Sequence, residues 1–95
     1  MRERDIEKYL SRRVKELGGE CRKVQWIGRR GAPDRLVMLP ADAYVDDQHC
    51  CIWVELKAPG VKPEAYQVRE HNRMRAMGQR VVVIDSIEGV EELLS

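Results

Sequence analysis

The run Val81-Val82-Val83-Ile84 constrains the fold more than any other part of this 95-residue chain. Four consecutive β-branched residues, with Gly78 before them and Asp85-Ser86 after, read as a short strand without a polar face. Such a strand belongs at the centre of a sheet or under cover on both sides. The segment before it, from Pro63 to about Met77, reads as a helix. Proline suits its first position, Glu64 suits its positive end, and Gly78 ends it. A strand reached through a helix pairs in parallel with an earlier strand by a right-handed crossover. A sheet with at least one parallel pair and helices packed on it follows.

The remaining segments supply its partners. From Glu3 to Leu17, Ile6, Tyr9, Leu10, Val14 and Leu17 recur at helical spacing, and Gly18-Gly19 ends that helix. ECRKVQWI (20–27) reads as a strand, GRRG as a turn, DRLVMLP (34–40) as a second strand and CCIWVELK (50–57) as a third. Residues 41–49 form a polar connector with Asp46-Asp47 as its turn. Ser86 can cap a last short helix, IEGVEELL, despite Gly89. The order α-β-β-β-α-β-α describes an α/β chain with one mixed sheet, its first three strands a meander. Its length allows one domain over residues 1–95 and no second.

Composition excludes several classes. Hydrophobic residues make up 43% and charged residues 35%, as in globular chains. No apolar run approaches the ~20 residues that span a bilayer, and MRERDIEKYL is too charged for a secretory signal. No membrane role and a cytoplasmic, reducing location are the expectation. The three cysteines, Cys21, Cys50 and Cys51, are odd in number and make a poor disulfide framework. Zinc held by Cys50, Cys51 and His49 is disfavoured, because adjacent strand residues point to opposite faces; small apolar strand residues are the simpler reading. The net charge is only +1, but residues 1–37 hold eleven Lys/Arg against six Asp/Glu. A local patch of Arg29, Arg30 and Arg35 around Gly31 can contact phosphates on such a protein; a solvated turn is the plainer reading of the charges alone.

The stretch WVELKAPG carries the chemistry. In a strand, Ile52, Val54 and Leu56 share one face while Trp53, Glu55 and Lys57 share the other. An acid and a base then stand side by side behind an apolar back. Alone, the two amount to a surface ion pair worth under about 1 kcal/mol. GAPD changes that reading. Gly31 allows a backbone conformation other residues resist, Ala32 is held extended by the following proline, and Pro33 suits a strand's first position. Asp34 is thereby fixed at the start of strand two. If strands two and three form a hairpin, Asp34 faces Glu55, and two carboxylates there make a hard-oxygen site for Mg²⁺ or Mn²⁺. Lys57, about 7 Å along the strand, adds a positive charge where phosphoryl-transfer charge develops.

GAPD…ELK resembles the PD-(D/E)xK nuclease superfamily and, more narrowly, the VRR-NUC domain. That family places a glutamate in the first helix, then R-G-x-P-D, then E-x-K, then a glutamine in the next helix. This chain has Glu7, Arg30-Gly31-Ala32-Pro33-Asp34, Glu55-Leu56-Lys57 and Gln67 in that order. The resemblance covers essentially the whole chain and implies a restriction-endonuclease-like α-β-β-β-α-β core with a mixed central sheet flanked by helices. It also implies that Asp34 and Glu55 hold the metal with the Leu56 carbonyl. Glu7 would reach the metal from the first helix, Lys57 would be the catalytic lysine, and Gln67 would orient the lysine or the water.

The function expected is a metal-dependent DNA endonuclease with no small-molecule cofactor. By analogy with stand-alone members, it would act on branched or junction DNA as a homodimer. Such minimal forms are often virus-encoded, which would place it in a host cytoplasm. A non-catalytic DNA-binding or assembly module on the same fold, and an RNA nuclease, are the alternatives. Trp26 and Trp53 can stack on bases, though strand aromatics in a chain with no Phe more often serve the core or an interface. His71, one turn after Gln67, can line the same cleft but reads more simply as a helix residue with a local hydrogen bond.

Overall fold

The computed structural model describes residues 1–41 and 51–95. Its elements are α1 (Glu3–Glu16), β1 (Glu20–Lys23), β2 (Arg35–Met38), β3 (Cys51–Leu56), α2 (Ala65–Ala76), β4 (Val81–Ile84) and α3 (Ile87–Leu94). The expectations for Asp46-Asp47, His49 and Cys50 lie outside the described residues. The strands form one sheet in the order β1-β2-β3-β4. β1–β2 and β2–β3 are antiparallel, and β4 runs parallel to β3 through the α2 crossover. This is the mixed sheet with flanking helices that the element order implied.

Alternation divides the sheet's two faces. Val37, Ile52, Val54 and Leu56 join Ile6, Leu10 and Val14 of α1 and Val90, Leu93 and Leu94 of α3 in one apolar core. Ile6, Leu10 and Val14 recur every four residues, which places one stripe of α1 against that face. α1 and α3 are also joined by charge. Glu91 accepts from the Tyr9 hydroxyl at 2.7 Å and from Arg13 Nε at 2.7 Å, and these partners, Arg13 first, hold its carboxyl down at about 2. α2 takes the opposite face and buries Glu70, His71 and Met74. A helix that buries an acid and a histidine is covering a polar site.

Three features differ most from the sequence reading. β1 stops at Lys23 instead of Ile27. After one more backbone bond, Val24 N–H to the Asp34 carbonyl at 2.8 Å, the chain leaves the sheet, and the Trp26 indole donates to the Pro33 carbonyl at 2.8 Å. β4 is an edge strand and not a central one, with Val81 and Ile84 buried and Val83 exposed. No strand follows it, because the chain turns into α3, whose first turn is capped by Ser86 Oγ accepting from Gly89 N–H at 2.9 Å. Pro63 precedes the helix instead of opening it. Glu64 is the cap residue of α2, and its N–H is taken by Gln67 Oε1 at 2.8 Å.

Candidate active site

The hairpin register sets the two central carboxylates opposite each other. Arg35 pairs with Val54 at the last bonded position, so the next residue on each strand brings Asp34 against Glu55 on the α2 face. Gly31 makes that approach possible. Its φ is +90°, and a Cβ there would lie 3.0 Å from the Tyr66 carbonyl and 3.3 Å from Gln67 Cα. The turn before Asp34 is thus pressed onto the first turn of α2. Arg30 closes the same contact, its guanidinium 3.9 Å from the Tyr66 ring centre.

Glu55 is nearly inaccessible, and burial raises its carboxyl to about 7. Lys57 opposes that rise, whereas the facing Asp34 adds to it. Lys57 Nζ lies 3.8 Å from Glu55 Oε2 and donates to Gln67 Oε1 at 2.9 Å. Gln67 Oε1 therefore accepts from both Lys57 and the Glu64 N–H. One amide oxygen caps the helix and orients the lysine, which explains why an acceptor of this length is needed there.

Glu7 and Arg35 stand at the same strand end, on the α1 side. Arg35 shares its face with Val37, and its buried guanidinium reaches Glu7 through Nη2 and Asp34 Oδ2 through Nη1 at 3.1 Å. Burial, the largest single influence, works against its charge. The bond to Glu7 and the fields of Asp34 and Glu7 outweigh it and hold its pKa above the ordinary value. Arg35 was grouped with Arg29 and Arg30 as a phosphate contact, but the fold turns it inward to the carboxylates. Arg29 remains at the surface and meets Glu70 at 3.4 Å.

Among the described residues, no three His, Cys, Asp or Glu side chains converge as a ready-made metal cluster. Two facing carboxylates beside the last residue of β3 still suit Mg²⁺, which takes one or two carboxylates and completes its shell with water and substrate phosphate. The buried, under-neutralised Glu55 is the observation that fits a cation.

A protein named "Putative nuclease p44", from Acyrthosiphon pisum secondary endosymbiont phage 1, is 49% identical over 86 residues, covering 90% of this chain and 85% of its own length. A solved structure described as a VRR_NUC domain superposes with a TM-score of 0.81 at 39% identity, covering 97% of this chain and 92% of that one. The chain belongs to the VRR-NUC family. No family model matches it.

Within this VRR-NUC fold, Asp34, Glu55, Lys57 and Gln67 lie together on the α2 face, while Glu7 is joined to Asp34 through Arg35. Sequence reasoning left out His71, which is 1% exposed with Nε2 3.5 Å from Glu55 Oε1. Burial, then Arg75, lowers its pKa. Its i+4 spacing from Gln67 was the available signal. Trp26 and Trp53 pack on each other at 5.2 Å and 50°. Cys21 packs against the core and Cys51 is exposed, so the small-apolar reading holds for Cys21 and fails for Cys51.

Proposed function

We propose that this VRR-NUC chain is a DNA endonuclease that requires Mg²⁺ or Mn²⁺, cuts branched or junction DNA, and works as a homodimer of single 1–95 domains. The observation that supports it most is the buried Glu55 carboxylate, held between Asp34, Lys57 and His71 with too little positive charge around it. Asp34, Glu55 and the Leu56 carbonyl would hold the cation, with Glu7 behind Asp34. When bound, the cation supplies Lewis-acid polarisation of a phosphoryl oxygen and eases deprotonation of a water.

The chain's own residues do the rest. Lys57, its Nζ fixed by Gln67 at 2.9 Å, places a positive charge beside the phosphate where negative charge grows, or orients the attacking water. Arg29 and Arg30 flank the entrance and contact the phosphate backbone. A single small module offers little surface to duplex DNA. Two-fold pairing doubles it and presents two cutting sites to two strands.

The test is cleavage of end-labelled duplex, nicked, flapped and four-way-junction DNA in Mg²⁺, Mn²⁺ or EDTA, with Lys57→Ala and Glu55→Gln alongside. Metal-dependent cutting that both substitutions abolish supports the site, and paired incisions across a junction support the dimer. Binding without cutting in every metal leaves a DNA-binding module; cutting of RNA alone leaves an RNA nuclease.

A further inference from the structure

The loop between β1 and β2 carries an isoleucine that folding does not use. Ile27 is 94% exposed, the most exposed of the large apolar side chains among the described residues. Gly28 follows with φ +74° and open space around its Cβ position. The tip therefore stands clear of the protein. The loop beneath it is not free, however. Val24 N–H bonds the Asp34 carbonyl, the Trp26 indole bonds the Pro33 carbonyl and packs on Trp53, and Arg30 is laid on Tyr66. Each fastening ties the loop to the Pro33-Asp34 element, to β3 or to α2 beside it. Lys23 and Trp26 share a concave surface of about 670 Å³ with Asp34. An apolar point thus stands on a fastened loop beside the candidate site, with Lys23 before it in the chain and Arg29 and Arg30 after it.

An exposed aliphatic side chain among cations fits a nucleic-acid duplex: the cations meet phosphates, and the aliphatic group enters between bases. Protein partners would meet a single side chain, a tip too small for an apolar interface. We propose that Ile27 is a wedge that inserts between stacked bases of the DNA substrate next to the phosphate to be cut. Its insertion unstacks one base step and bends the strand toward Asp34 and Glu55. The proposal rests on the nuclease reading above and adds to it the residue that selects deformable DNA, such as a branch point, over continuous duplex.

The experiment uses four-way junctions carrying 2-aminopurine at successive positions around the branch point, with Ca²⁺ to permit binding. Base unstacking raises the fluorescence of 2-aminopurine. The native protein is expected to raise it at one or two positions, and Ile27→Met to do the same. Ile27→Ser, at a site that packs against nothing, is expected to bind without the rise. In Mg²⁺, Ile27→Ser should cut the fully paired junction about tenfold or more slowly, a loss that shrinks when two bases at the branch are already unpaired. An equal rise from native and Ile27→Ser protein, or an equal cleavage loss on both junctions, overturns the wedge while the nuclease reading stands. If the native protein cuts nothing in any metal, the nuclease reading fails, and the fluorescence in Ca²⁺ still decides the wedge.

Discussion

His71 Nε2 lies 3.5 Å from Glu55 Oε1, and it is the one buried side-chain nitrogen or oxygen among the described residues with no hydrogen-bond partner. Buried polar atoms are nearly always satisfied, so this nitrogen and that oxygen stand where a small closing movement joins them. Partners behind a metal-binding carboxylate fix its orientation and typically matter about 10–100-fold in affinity or activity. His71→Ala is expected to weaken Mg²⁺ binding to that extent in a calorimetric titration. His71→Leu, which refills the space, should recover melting temperature but not affinity. Recovery of both would reduce His71 to packing.

Glu55 gives stability a pH dependence of unusual sign. Its carboxyl sits at about 7 in the fold against its ordinary value of 4.5. Between those values the folded chain holds a proton that the unfolded chain has released, so stability falls as pH rises. The metal-free protein should be most stable below about pH 5 with respect to this group and lose on the order of 10 °C in Tm by pH 8. Glu55→Gln should flatten that slope, and Mg²⁺ should restore Tm at pH 8 in the native protein only. A melting curve insensitive to Mg²⁺ at pH 8 would count against cation binding at Glu55.

Gln67 has two duties that substitution can separate. Gln67→Glu keeps an oxygen facing both Lys57 and the Glu64 N–H, whereas Gln67→Ala removes it. The alanine variant should lose about 1 kcal/mol with the cap and about tenfold or more in kcat with the lysine's restraint. The glutamate variant should keep the melting temperature. Chemical denaturation and single-turnover cleavage read the two effects separately.

Gly31→Ala tests how tightly the turn is pressed onto α2. A methyl there meets the Tyr66 carbonyl at 3.0 Å while the backbone stays at φ +90°. The cost should be about 1–3 kcal/mol in urea unfolding, with Asp34 displaced and cleavage lowered further. Unchanged stability would show that the turn relaxes freely.

Arg29→Ala with Arg30→Ala tests the entrance. Both side chains are exposed and already held in place, by Glu70 and Tyr66. Binding to duplex DNA should weaken, and the slope of log K against log salt should fall by about two phosphate contacts. An unchanged slope refutes their role.

The site's main axis was legible because β3 states it in alternation: Ile52, Val54 and Leu56 went to the core, and Glu55 and Lys57 to the other face. Arg35 was legible too and went unread. It stands two residues before the buried Val37, so the same alternation sends it inward, where Glu7 and Asp34 compensate its charge. His71 was harder, since α2 has no clear apolar face to show which residues it buries. The early end of β1 depends on side-chain bonds such as Trp26 to Pro33, which no local pattern announces. The edge position of β4 was hidden because an all-apolar run looks the same whether a sheet continues beyond it or a helix follows.

The bond between α1 and α3 also joins the two ends of the chain. Every acid, base and amide assigned to the site lies between Glu7 and His71, so a ribosome emits the full set of reagents before Val81 exists. At that stage β3 has an unpaired edge, and α1 lacks Glu91, Val90, Leu93 and Leu94 to hold it. In the order of synthesis, the residues that hold β3 and α1 in the fold come after all those that line the candidate site.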